Sequence, residues 1–330
     1  MKKFVSLLHA RNMEFIRDRG TLIWNIAFPV LLVFGFAFAF SGGSQSLFTV
    51  GTLGEVPEGF TVARGGAADL VAYDDLDEAV GKVRRHQLDM LIDFRAGEYY
   101  VNEGAPNGTI VEQLFLAGAG AEFAKQPVTG DPIRFVDWFV PGVIGMNMMF
   151  SGIFGVGFVI VRYRKNGFLK RLKATPVSSF EFVSSQVASR FIIVLLSSTL
   201  VFVATNLVLN FLMLGSYLTL LLVTMLGVMC MISFGLIFSS RIKSEELAGG
   251  LINVVTLPML LLSGVFFSLE ATPQVVQSIS NVMPLKHFVD GARSIMLDGA
   301  TIVDVLPNIL VLGGFTVAFL IIASLLFRWE

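Results

Sequence analysis

A bilayer core is crossed by about 20 apolar residues in helical form. This chain of 330 residues offers such a run six times, at 21–40, 138–161, 187–214, 218–239, 247–268 and 306–327. Lipid leaves backbone polar groups no water to bond, so runs of this kind fold as helices. Composition agrees: charged residues make up 15% of the chain, against roughly 25% in soluble domains. The third run is long enough to predict tilt or a protruding end. Pro29 and Pro258 fall inside runs and predict kinks. Phe34, Phe36, Phe38 and Phe40 recur at every second position, which spreads them over two helix faces, as contact with lipid allows.

Charge orients the runs. With both termini inside, the inner segments 1–20, 162–186, 240–246 and 328–330 hold 14 basic and 6 acidic residues. The outer segments 41–137 and 269–305 hold 9 basic and 19 acidic residues. Lysine and arginine mark the cytoplasmic side. Arg190 is left over, near the inner start of the third run. The expected fold is an all-α polytopic membrane protein. It has six transmembrane helices, cytoplasmic N and C termini, and a small α/β extracytoplasmic domain between spans 1 and 2.

Two inner segments are more than anchors. Residues 1–20 predict an amphipathic interfacial helix ahead of the first span at 21–40. Phe4, Leu7, Leu8, Phe15 and Ile16 supply its apolar side, and Lys2, Lys3, Arg11, Arg17 and Arg19 lie elsewhere. The loop 162–186 opens with RYRKNGFLKRLKATPVS. Six of its first twelve residues are basic and none is acidic. Phe168, Leu169 and Leu172 interleave with those charges, and Gly167 and Pro176 bracket the segment. That spacing predicts a short helix with one apolar and one basic edge. Tied to spans at both ends, such a helix can pass force from a soluble partner. Gly167, Leu169, Arg171, Leu172 and Pro176 form the expected coupling set, with Leu169 and Leu172 seated in a partner's cleft.

Residues 41–134 are the one sizeable segment without a membrane run. Asp74 and Asp75 precede Leu76, Ala79, Val80 and Val83, a helix with its cap. Leu88, Met90, Ile92 and Phe94 alternate as a strand does, and Tyr99–Val101 is expected to pair with it through a turn at Gly97. A second helix is expected at 109–124.

Several mechanisms are excluded by what the runs lack. None has Asp, Glu, Lys or Arg at its centre, whereas ion-coupled transporters place such groups there. The pair Gly81-Lys82 is followed by Val83, so the phosphate cradle of an ATPase is not present. Cys230 is the single cysteine, and His9, His86 and His287 lie far apart, so no metal site is expected. Nothing points to nucleic acid. Polar residues inside the runs either bond between helices or face a transport path. Asn147, Asn206 and Asn253 are the candidates for a path. A membrane body with a coupling element and no engine implies a separate ATPase. Two rival readings use the same features: a non-transporting platform that passes a mechanical signal, and a secondary transporter.

Three stretches carry a resemblance. The loop Asn166-Gly167-Phe168-Leu169-Lys170-Arg171-Leu172, ending Ala174-Thr175-Pro176, is one. Phe139-Val140-Pro141-Gly142-Val143-Ile144-Gly145-Met146 is the second. The third runs from Leu261-Leu262-Ser263-Gly264-Val265-Phe266-Phe267 through Leu269-Glu270, Pro273, Pro284-Leu285, Asp290 and Arg293 to Gly299. Together they resemble a permease of the type-2 ABC transporter family. Phe168 departs from a small hydroxyl residue, Lys170 from an acidic one, and Ser268 from a proline. The resemblance implies a second permease chain, as a homodimer, and two ATPase chains that hold ATP and magnesium; this chain binds no cofactor. It implies the bacterial cytoplasmic membrane, and export of a hydrophobic or amphiphilic substrate. It also implies that 271–298, with Pro273, Pro284, Asp290 and Arg293, forms a re-entrant hairpin in the outer leaflet.

Overall fold

The computed structural model describes residues 2–39, 48–57, 60, 68–118, 120–130, 132–242, 244–269 and 272–326. They fall into two compact units, one of Met1–Phe36 with Val136–Glu330 and one of Ala37–Phe135.

The smaller unit is a five-stranded sheet with a helix on each face. Its strands are β1 (Phe48–Leu53), β2 (Ala68–Tyr73), β3 (Met90–Asp93), β4 (Glu98–Asn102) and β5 (Ala124–Val128). They lie in the order β2-β1-β3-β4-β5, and only the β3–β4 pair is antiparallel. In β3 successive side chains point to opposite faces. Met90 and Ile92 pack with Val111 and Phe115 of α4 (Pro106–Ala117). Leu91 packs with Ala79 and Val83 of α3 (Leu76–Arg84). A strand covered on both faces reads as a continuous apolar run rather than an alternating one. Leu88, expected to share a face with Met90, precedes β3 and packs with Leu91 on the other side.

Local chemistry sets the element ends. Asp75 caps α3 by accepting the N–H of Asp77 at 2.9 Å. The β3–β4 turn is held by the Asp93 carboxylate, which accepts from Arg95 N at 2.8 Å, with Gly97 at φ 68° completing it. The second helix starts at Pro106 and stops at Ala117, earlier than the expected 109–124.

The larger unit contains ten helices among the described residues: α1 (Lys2–Arg17), α2 (Arg19–Ala39), α5 (Phe135–Lys165), α6 (Phe168–Lys173), α7 (Ser179–Leu209), α8 (Tyr217–Arg241), α9 (Glu245–Leu261), α10 (Gln274–Ser280), α11 (Pro284–Asp298) and α12 (Leu306–Leu326). Five are long and apolar enough to cross a membrane: α2, α5, α7, α8 and α12. The run 247–268, expected as one span, is the exception. Its helix α9 has 17 residues and ends at Leu261. The chain then turns through Gly264 at φ 70°, whose carbonyl accepts from Arg293 Nη2 at 2.7 Å. The loop expected at 162–186 is also largely helical. α5 runs on to Lys165, and α7 starts at Ser179 under a reciprocal cap between Ser178 and Glu181.

α5 is the most enclosed of the membrane helices. It meets α8 closely at Gly152, where an added methyl would press on Met231. Small residues allow this approach, which dispersion alone must hold in lipid. α8 packs in turn on α12 and α11, and α1 packs along α7. Phe36 does not simply face lipid: its ring stacks on Phe139 at 4.6 Å between centroids. Phe40 and the Phe38 side chain lie outside the described residues.

The sheet unit makes one pH prediction. Burial, then a hydrogen bond to Glu112, pushes the Tyr99 hydroxyl up to about 12. Burial and Glu98 do the same for Tyr100, also to about 12. A raised phenol pKa means that the unfolded chain ionises first as pH climbs above 10. The unit's stability is thus full below pH 10 and falls through about pH 12. Limited proteolysis of the intact chain should show residues 68–128 becoming labile over that window. In Tyr99→Phe/Tyr100→Phe the lability should rise less steeply.

Candidate functional site: the coupling segment and the adjoining cleft

Gly167 takes φ 67°, a conformation that favours glycine, and opens α6. Thr175 closes it by donating its hydroxyl to Leu172 O at 2.6 Å. Within this six-residue helix the apolar side chains divide. Leu169 is 1% exposed and is spent inside this chain. It is turned inward, so the apolar side chains that α6 presents outward are those of Phe168 and Leu172. Phe168 is 37% exposed and stands 4.8 Å from the Tyr163 ring. Leu172 is half-buried, and Lys170, Arg171, Lys173 and Pro176 are exposed.

The segment is tied to α1 at several points. Tyr163 donates its hydroxyl to Glu14 and accepts from Arg11 Nη1 at 3.3 Å. Lys3 Nζ donates to Pro176 O at 2.5 Å. Ser189 of α7 donates to Asn12 of α1 at 2.5 Å. On the other side, Arg164 donates to Ile242 O at 2.5 Å, supplying a cation to the carbonyl end of α8. Lys165 pairs with Glu245 and Glu246 at 3.7 and 3.5 Å. Gly167, Leu169, Arg171, Leu172 and Pro176 thus sit on one short element held from both flanks.

The residues of 271–298 have structural partners. Pro273 caps α10 and Pro284 occupies the first turn of α11. Asp290 pairs with Lys286 at 2.6 Å, one turn away. Arg293 binds Trp138 O at 3.1 Å and Gly264 O at 2.7 Å, and its guanidinium lies 3.6 Å from the centre of the Trp138 ring. It staples α11 to α5 and to the turn after α9.

The three asparagines do not converge on one path. Asn253 is exposed on α9, beside Val254 and Leu257. Asn206 lines an apolar cavity of about 350 Å3 with Phe202, Tyr217 and Phe288. Asn147 lines a separate cleft of about 700 Å3 between α1, α2, α5 and α7. A single apolar run shows which residues are polar, not how its helix is rotated, so convergence was not legible.

The larger cleft brings together residues that sequence reasoning had passed over. Arg190, the cation left over from the charge count, is the twelfth of 31 residues in α7 and 6% exposed. Its Nε donates to Ser151 O of α5 at 2.6 Å, and its Cζ lies 5.6 Å from the Phe15 ring. Gly155 leaves room for the guanidinium; a methyl there would overlap it. The Ser151 hydroxyl donates to Asn25 Oδ1 at 2.5 Å. Such a cation within a span costs about 2.5–3.5 kcal/mol on insertion scales unless it is paired or hydrated. Among the described residues no group of three His, Cys, Asp or Glu is placed to hold a metal ion.

Comparison with known proteins gives this arrangement a context. Residues 98–297 match the family model of the ABC-2 type transporter, and the chain belongs to that family. Its relatives are membrane permeases, and the matched family model is that of the membrane component. It is 32% identical over 194 residues to the inner membrane transport permease YhhJ of Escherichia coli K12, which covers 58% of this chain and 52% of that protein. The match therefore spans about half the length of that relative. The probable multidrug ABC transporter permease YbhS of the same organism is 22% identical over a 346-residue alignment covering 93% of this chain and 92% of that protein. The linearmycin resistance permease protein LnrN of Bacillus subtilis is 24% identical over 154 residues, 46% of this chain and 39% of that protein.

The division within α6 is testable. Leu169→Ala should cost about 2–5 kcal/mol, as truncations of buried leucine do, and lower the melting temperature in detergent. Lys170→Ala, on the exposed side, should stay within about 0.5 kcal/mol of the parent.

Proposed function

We propose that this chain is the permease of an ATP-driven exporter of hydrophobic or amphiphilic compounds. Two copies pair, and an ATPase docks under each α6. In this reading both termini and α6 are cytoplasmic, and the sheet unit is extracytoplasmic in a bacterial inner membrane. Six spans cross the bilayer, counting α9 together with residues 262–268. The α10–α11 pair re-enters the outer leaflet.

One observation carries the reading. The basic, half-apolar edge of α6 is presented outward while Leu169 locks the helix to its own chain. An element exposed in this way and braced at both flanks can receive a push without folding away from it. The name of a relative such as YbhS, a probable multidrug permease, supports the choice of substrate class. α9 presents Leu247, Leu251, Val254, Leu257 and Leu261 outward, an apolar surface for lipid or a second copy.

Co-purification tests it. The detergent-solubilised chain should retain an ATPase carrying a P-loop. Leu172→Asp and Phe168→Asp should lose that ATPase while still inserting in the membrane. Undiminished retention in both variants would contradict docking at α6. Removal of residues 44–132 separates the platform reading, which predicts loss of all ATP-dependent output, from an exporter whose ATPase still docks and cycles.

A further inference from the structure

The cleft between α1, α2, α5 and α7 holds a cation with no opposite charge beside it and an amide donor with no partner among the described residues. Among the described residues no carboxylate pairs with Arg190; its partners are one main-chain oxygen and one ring face. The two acids on the cleft are engaged elsewhere. Glu14 pairs with Arg11 at 2.8 Å and accepts from Tyr163. Asp18 accepts the N–H and the hydroxyl of Thr21 at 3.1 and 2.6 Å. Asn147 supplies an independent sign: it is 5% exposed, lines the same cleft, and its Nδ2 has no partner. It lies one helical turn from Ser151, the residue whose carbonyl Arg190 holds.

A guanidinium and a primary amide both donate, and both call for an oxygen acceptor. A phosphate-type group meets them best, because arginine binds it through several N–H bonds at once. Apolar side chains make up much of the remaining wall: Phe28, Phe150, Phe154, Phe158 and Met146 line it. From Met146 to Arg162 the cleft follows α5 for roughly 24 Å at 1.5 Å per residue. Arg11, Arg162 and Arg190 supply its cations. Neither a free ion nor a neutral hydrocarbon matches both the arginines and the phenylalanines.

We propose that this cleft binds an anionic amphiphile, its phosphate-type headgroup on Arg190 and Asn147 and its apolar body along the phenylalanines. Arg190 provides the selectivity for negative charge. Gly155 positions it, since any larger residue would displace the guanidinium. Binding is read directly, so the proposal holds or fails independently of export.

Native mass spectrometry of the full chain in detergent tests it, with phosphatidylglycerol as probe and phosphatidylcholine and inorganic phosphate as controls. The parent should retain phosphatidylglycerol about tenfold more tightly than phosphatidylcholine, a factor equal to about 1.4 kcal/mol. Arg190→Gln should erase that preference, and Arg190→Lys should keep most of it. Gly155→Ala and Asn147→Ala should each reduce it, and they answer the question should Arg190→Gln not be recovered folded. Equal retention of the two lipids by the parent would overturn the proposal. So would an unchanged preference in folded Arg190→Gln, or in both other variants. Displacement by inorganic phosphate at the concentration where the lipid itself displaces would overturn it too, because the apolar wall would then contribute nothing.

Discussion

The Tyr163 side chain of α5 sits where α1, α6 and α7 meet. It bonds Glu14 and Arg11 of α1, while its ring lies 4.8 Å from Phe168 of α6 and 6.5 Å from Phe182 of α7. The two bonds and the ring contacts act together, so one side chain links three helices. Lys3 and Asn12 add further bonds from α1 to Pro176 and Ser189. The amphipathic helix α1 is therefore bound along α7. Whatever presses on α6 presses on α1, and α1 forms one wall of the cleft.

Charge placement extends that logic. Arg190 and Asp137 are both buried within the membrane unit. Each holds backbone: Arg190 donates to Ser151 O, and Asp137 accepts from Leu212 N at 2.9 Å. Asp137 thereby ties the α7–α8 connection to the start of α5. Arg164 similarly draws the carbonyl end of α8 onto α5. Because α5 receives all three, it serves as the frame on which the neighbouring helices are set.

Much of this was legible in the residues wherever the cause is local. The Asp75 cap, the Gly97 turn and the break at Gly167 need only their neighbours, and all three stand where the sequence puts them. Strands β1, β2 and β5 were not foreseen, because their reason is distant: Val50 pairs with Leu70 and Met90, and β5 carries Pro127 at a sheet edge. The end of α9 was hidden for the same reason. Gly264 turns there under the hold of Arg293, 29 residues away. Nor does spacing over six residues say which face of α6 turns inward, so the burial of Leu169 was not legible. Arg190 did leave a trace. It was the cation that no loop claimed.

The most direct measurement of the central claim is a distance between spin labels on α1 and α6, at Ser6 and Lys170, in the permease–ATPase complex. It would be taken without nucleotide and again with the ATPase trapped by ATP and vanadate. If Tyr163 joins the two helices into one body, the distance distribution will be unchanged between the states and will broaden in Tyr163→Phe. A distance that shifts on trapping in the parent chain, while Tyr163→Phe behaves identically, would contradict the account.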